Sequence, residues 1–236
     1  MGPNSGESQT PAAGDADAPI DVSFVVPARN EAAYLRGTLA SLTALETAYE
    51  YEVIVVDGNS SDQTPAIARE YDARLLEGDG SSIAQGRNDG ARHASGDWLA
   101  FIDADTRVRP NYVTDLVGYA EATDLAAASS YCRMTGPVRA KLMEVTLNHI
   151  FSRLEKPILP GFNFLIKRRV FDEVGGFPTV ANEDTAFSRL LGRTYPTGYY
   201  PGVLVESSGR RIATQGLTGT LYHYARLDRK RLQAGA

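Results

Sequence analysis

Apolar runs of strand length alternate with stretches of helical spacing through the first half of the chain. The run DVSFVVP, Asp21 to Pro27, is continuous enough for a strand covered on both faces. Leu35, Leu39, Leu42 and Leu45 then recur on one face of a helix read over Glu31 to Leu45. YEVIVVDG from Tyr51 is the second strand, Asp62 to Tyr71 a helix with Asp62 as its cap, and ARLLEG from Ala73 the third strand. Ser82 to Ala94 reads as a helix despite Gly86 and Gly90, whose low propensity demands support from packing or a ligand. DWLAFIDAD, Asp97 to Asp105, is the fourth strand. Strands alternating with helices predict an α/β fold: a Rossmann-like, mostly parallel sheet flanked by helices, in a single domain.

The second half is less regular. DLAAASSYCRM from Asp124 reads as a strand, GPVRAKLMEVTLNHIFSRLEKP from Gly136 as one helix, and GFNFLIKRRVFDEVGGF from Gly161 as a strand entering a short helix. NEDTAFSRLLGR follows as a helix with Asn182 as cap, and GYYPGVLVES as a last strand. Residues 1–19 hold no large apolar side chain except Met1 and are read as a disordered tail. Residues 20–216 form the folded domain, with a nucleotide-binding half at 20–105 and an acceptor-binding half at 106–216, and residues 217–236 are a basic tail.

Composition narrows the class. With 43% hydrophobic and 22% charged residues the chain is that of an ordinary globular protein, and a net charge of −5 argues against nucleic-acid binding. It lacks a long apolar span and a basic-then-apolar leader, which predicts a cytoplasmic location. Cys132 is the sole cysteine, so neither a disulfide nor a cysteine metal cluster forms within the chain, and its apolar neighbours predict an inert thiol.

The acids at strand ends carry the chemistry. Asp103 and Asp105 stop a buried run at its carboxyl end, where open α/β sheets hold ligands, and one intervening residue lets both lean on a hard cation, or on a ribose and that cation. The plain alternative is a solvated Asp-rich turn. Asp57 ends the second strand as a reader of a base edge or as a turn former before Gly58. Arg87 is suited to fork onto a diphosphate or to pair internally with Asp57 or Asp103. Glu31, Glu183 and Asp184 stand in first turns of helices, where acids also serve the helix dipole.

In their order, VVPARNE at Val25, VVDGNSSDQT at Val55, GRNDGARHASGDWLAFIDADT at Gly86, GGF at Gly175 and NED at Asn182 resemble an inverting family 2 glycosyltransferase of the GT-A fold, over Ile20 to Arg211. The resemblance implies transfer of a hexose from a UDP- or GDP-sugar to an acceptor hydroxyl or lipid phosphate. It implies Pro27, Arg29 and Glu31 around base and ribose, Asp57 and Arg87 on the donor, Asp103 beside the ribose, and Mg²⁺ or Mn²⁺ on Asp105 with Asp103. It makes Asp184 the base toward the acceptor, with Glu183 orienting a neighbour. Two positions depart from the family: Arg29 replaces a more usual aromatic or neutral residue, and Gly58 replaces a second acid. On the acceptor side stand Asn163, Arg210 and Arg211, each also readable as an ordinary loop or surface residue, and His223 reads more readily as packed than as a ligand. An apolar stripe of Met143, Leu147, Ile150, Phe151 and Leu154 between Arg139, Lys141, Arg153 and Lys156 fits either the core or a peripheral contact with an anionic membrane carrying a glycan or lipid-linked acceptor. The rival readings are a retaining GT-A transferase making a glycosylated phosphoglycerate-like solute, and a nucleotide-sugar-binding module without turnover.

Overall fold

A computed structural model describes residues 19–210; the tail at 1–19 apart from Pro19, Arg211, His223 and the basic tail at 217–236 lie outside the described residues. The elements are β1 (Val22–Ala28), α1 (Ala32–Thr43), β2 (Tyr51–Asp57), α2 (Thr64–Glu70), β3 (Arg74–Glu77), α3 (Ile83–His93), β4 (Trp98–Ile102), β5 (Thr106–Val108), α4 (Tyr112–Ala122), β6 (Ala127–Thr135), α5 (Val138–Val145), β7 (Asn163–Lys167), α6 (Arg168–Val174), α7 (Glu183–Leu191) and β8 (Thr197–Ser208). They form one eight-stranded sheet in the order β3-β2-β1-β4-β7-β6-β8-β5. The run β3-β2-β1-β4 is parallel throughout, β7 enters antiparallel between β4 and β6, and β6 and β8 are again parallel.

This order explains where a ligand belongs. From β1 the chain moves outward to β2 and β3, then returns to lay β4 on the other side of β1, so the crevice at the strand carboxyl ends opens between them. Parallel strands covered by helices on both faces require apolar side chains facing both ways. Accordingly every residue of β4 is buried, and Val22, Phe24, Val25 and Val26 of β1 are fully so.

The two glycines of α3 answer to packing. A Cβ on Gly90 would meet Val25 Cγ1 at 2.3 Å and one on Gly86 would stand 3.4 Å from Pro27 Cβ, so bare backbone lets α3 lie directly on β1. Ser82 caps this helix, its hydroxyl accepting from the Gln85 N–H at 3.1 Å.

Three local expectations are corrected. Asp62 does not cap α2 as a helix beginning at its own position; it accepts from the Thr64 N–H and hydroxyl at 2.9 and 2.6 Å and, through its other oxygen, from the Ala32 N–H of α1 at 3.1 Å. Asn182 takes a left-handed conformation (φ 54°) at the head of α7 and makes no capping bond there. The single helix read from Gly136 is instead α5, a π turn over Thr146–Ile150 and a 3₁₀ turn over Phe151–Arg153. On the opposite face of the sheet from α1, Phe101, Phe164, Phe171, Phe177 and Phe187 interlock; Phe177 lies 4.9 Å from Phe101 and 4.6 Å from Phe187 between ring centroids. That cluster fixes α7 under the crevice. Cys132 is buried, and burial pushes its thiol up to about 12, in keeping with an inert side chain.

Candidate active site

Asp57 ends β2 and Asp103 follows β4, and the PARNE turn at the end of β1 lines a cavity of about 340 Å³ together with Val56, Gly58 and Gly80. Asp57 is 6% exposed; its Oδ2 accepts from the Ser60 N–H at 3.0 Å, while Oδ1 is buried without a protein partner. The turn-forming role is therefore real, and one oxygen is left over for a ligand donor. Glu31 repeats the pattern: Oε1 pairs with Arg210, and Oε2 is buried without a partner.

The two departures from the family pattern lie side by side. Arg29 donates from Nη1 to the Gly80 carbonyl at 3.0 Å, and a Cβ on Gly58 would stand 3.2 Å from Arg29 Cβ. Glycine at 58 lets the two strand ends approach closely, whichever side chain stands at 29. Gly80 itself has φ +69°, and its Cβ would meet the Gly58 carbonyl oxygen at 2.4 Å, so neither position takes a side chain without moving the other strand end.

Arg87 is an internal clamp. It is 2% exposed, donates from Nη2 to Asp103 Oδ1 at 2.8 Å and from Nη1 to Glu183 Oε1 at 2.6 Å, and lies 5.2 Å from the Phe177 ring centroid. A Cβ on Gly161 would stand 2.6 Å from Arg87 Nη2, so the backbone there closes over the guanidinium. Burial works against the charge of Arg87, yet Asp103, Glu183 and Asp184 together hold it above the usual range. Burial pushes the Glu183 carboxyl up and Arg87 offsets this only in part. Of the two roles read for Arg87, the geometry supplies the ion pair with Asp103; a guanidinium this buried presents no open edge to a diphosphate.

Asp184 opens α7 beside Glu183. Its Oδ2 accepts from the Gly161 N–H at 3.1 Å and its Oδ1 from the Thr185 N–H at 2.6 Å. The carboxylate is thus aimed by backbone bonds while its neighbour is tied through Arg87 to the acid at the end of β4. Asn88, next to Arg87, was given no role by sequence reasoning: its amide brackets the Gly175-Gly176 turn, accepting from the Phe177 N–H and donating to the Phe177 carbonyl, both at 2.9 Å. The signal lay in its place directly after Arg87 in the middle of α3.

Asp105 stands apart from Asp103. Its Oδ2 accepts from Arg210 Nε at 2.9 Å, and Arg210 also reaches Glu31 and lies 4.4 Å over the Tyr34 ring. Burial opposes the charge of Arg210, and Glu31 and Asp105 raise it above the usual range. Of the two readings of Asn163, the described contacts are the internal ones. It is fully buried, bonded to the Tyr112 hydroxyl at 3.2 Å and to Ser130 at 2.9 and 3.1 Å.

Among the described residues no three histidine, cysteine or carboxylate side chains converge to hold a metal ion. The residues present still fit Mg²⁺ or Mn²⁺, because such ions commonly take one or two carboxylates and complete their shell from substrate phosphates and water. Asp105 supplies such an oxygen set, and the partnerless Glu31 Oε2 lies on the residue that shares Arg210 with it.

Residues 23–175 match the model of glycosyl transferase family 2. A validoxylamine A glucosyltransferase from Streptomyces hygroscopicus subsp. jinggangensis is 40% identical over 103 residues, covering 41% of this chain and 24% of that protein. The succinoglycan biosynthesis protein ExoO of Rhizobium meliloti is 37% identical over 223 residues, covering 86% of this chain and 60% of that protein. This chain therefore spans less than two thirds of the length of either relative. In fold it resembles the mannosyltransferase PcManGT from Pyrobaculum calidifontis, solved with GDP-Man and Mn²⁺, at a TM-score of 0.68 and 22% identity, over 93% of this chain and 68% of that one. S. aureus TarS solved with UDP-GlcNAc matches at a TM-score of 0.68 and 19% identity, over 81% of this chain and 59% of that one. Both are GT-A glycosyltransferase folds.

Proposed function

The chain belongs to glycosyl transferase family 2, and on that premise we propose that it moves a hexose from a UDP- or GDP-sugar to an acceptor hydroxyl or lipid phosphate, with inversion at the anomeric carbon. The observation that supports this reading is the Asp103–Arg87–Glu183 clamp, which joins the acid after β4 to the head of α7, the turn that carries Asp184. Pro27, Arg29 and Glu31 form the wall for base and ribose, and the spare Oδ1 of Asp57 accepts from the base edge. Asp105 and Asp103 would hold a divalent cation. That cation, when bound, supplies the positive charge that the leaving diphosphate needs.

Asp184 takes the proton from the acceptor hydroxyl as that oxygen attacks from the face opposite the leaving group. Its two backbone hydrogen bonds hold the carboxylate still, so proximity is gained without ordering cost at the moment of reaction. Half-buried Glu183 orients, through Arg87, rather than exchanging protons with the acceptor. The acceptor is proposed to be lipid-linked, because α5 presents Val138, Leu142 and Val145 outward beside Arg139 and Lys141, and its Ala140 packs on Gly209, next to Arg210. No helix among the described residues is long and apolar enough to cross a membrane, so this contact would be peripheral.

Calorimetric titration of UDP-, GDP- and dTDP-sugars with and without Mn²⁺ tests the donor half. Mn²⁺-dependent binding of a UDP- or GDP-sugar is expected; binding of none, with the protein folded, overturns the reading.

A further inference from the structure

Near the strand ends, Arg87 pairs with Asp103 while Arg210 pairs with both Asp105 and Glu31. The two arginines are built differently. Arg87 is walled in by Gly161 and Phe177 with both terminal nitrogens engaged inside the protein. Arg210 is 29% exposed, stands just past the end of β8, and rests on the ring of Tyr34, itself on the surface of α1. One cation is part of the core, and the other has water at its back and an aromatic face to slide on.

On the reading proposed above Asp105 takes a divalent cation, and a guanidinium bonded to its Oδ2 repels a second cation brought to the same group. We propose that Arg210 is a tethered counter-cation of Asp105, neutralising it in the metal-free protein and surrendering it when a divalent cation binds. The inference rests on the reading of Asp105 as a metal ligand. Exchange leaves Arg210 paired with Glu31 and over the Tyr34 ring. Metal affinity then carries the cost of displacing the arginine, as for any ligand whose competent state is only part of the population.

Mn²⁺ binding, read from the free-ion signal in electron paramagnetic resonance, tests this with neither nucleotide, with UDP and with GDP. Arg210→Ala is expected to tighten Mn²⁺ binding about three- to tenfold, the scale of a partly exposed ion pair. Tyr34→Leu, which removes the ring under the guanidinium but no charge, is expected to move the affinity by less than twofold. Arg210→Ala binding Mn²⁺ no tighter than the wild type, or weaker, overturns the proposal, since an arginine that merely braces Asp105 would give that result. Asp105→Asn separates the two failures: retention of full Mn²⁺ affinity in that variant removes Asp105 as ligand, whereas loss there with no gain in Arg210→Ala removes only the counter-cation.

Discussion

Arg87 on α3 and Glu183 on α7 form an ion pair of 2.6 Å between segments 96 residues apart, and the same guanidinium holds Asp103. Removing one member of a buried pair strands the others, which costs more than the pair's net worth. Arg87→Ala is therefore expected to destabilise the fold by about 3–5 kcal/mol. Urea denaturation measures it; a loss below about 1 kcal/mol would mean that Asp103 and Glu183 are already served by water.

Asp184 is aimed by two backbone N–H groups and is not itself paired with Arg87. Asp184→Asn preserves shape and one acceptor oxygen, so donor binding should stay within about twofold while transfer falls about 10²–10⁴-fold. Nucleotide-sugar titration beside a product assay separates the two effects. Equal loss of both would move Asp184 into the donor site.

Local periodicity reveals β1, β2 and β4 because each is an apolar run ended by polar residues, while β3 is a short edge strand marked only by Leu75 and Leu76. Long-range pairing was not legible: nothing in GFNFLIK says that β7 inserts antiparallel between β4 and β6, or that this buries Asn163 against Tyr112 and Ser130. The acids of the site were legible from their strand-end positions. Of their partners, Arg87 for Asp103 was legible as one alternative; the others were not, since Arg210 reaches Asp105 across 105 residues and Asp62 serves a helix that precedes it. Side chains that satisfy one another at such separation leave no mark in a window of ten or fifteen residues.

Gly90 sits where α3 touches β1. Alanine there gains about 1 kcal/mol of helix propensity but drives a methyl to 2.3 Å from Val25 Cγ1, on a buried β-branched side chain with little freedom to turn. Overpacking of this kind costs about 1–3 kcal/mol, so Gly90→Ala should lower the melting temperature. An unchanged or higher value would show that α3 shifts freely on the sheet.

Glu144 accepts from the Met134 N–H at 2.6 Å and from Lys141 Nζ at 2.9 Å, tying α5 to β6. Burial opposes its charge, but these donors prevail and hold its carboxyl below the usual range. A depressed folded value contributes stability above the unfolded value of about 4.3 and loses it as pH falls through the folded one. Glu144→Gln should therefore melt below the wild type at pH 7, with the gap closing toward pH 3. A gap independent of pH would assign the effect to packing.

The stripe Met143, Leu147, Ile150, Phe151 and Leu154 divides in the structure. Leu147 is buried and Met143 and Phe151 pack on the core, while Ile150 and Leu154 turn outward with Val138, Leu142 and Val145, which are between 42% and 87% exposed. The π turn explains the register: closing five residues rather than four adds one to the turn and returns Ile150 to the face of Val145. Arg139, Lys141, Arg153 and Lys156 outnumber Glu144 and Glu155 along this segment, although the whole chain carries −5, so the local charge matches an anionic surface. Wild-type protein should sediment with vesicles containing phosphatidylglycerol and much less with phosphatidylcholine alone, and Leu142→Glu with Ile150→Glu should abolish the difference. Sedimentation unaffected by the double substitution would place the contact elsewhere. Absence of vesicle binding together with a dimer that the same substitutions dissociate would give the face to a second copy of the chain.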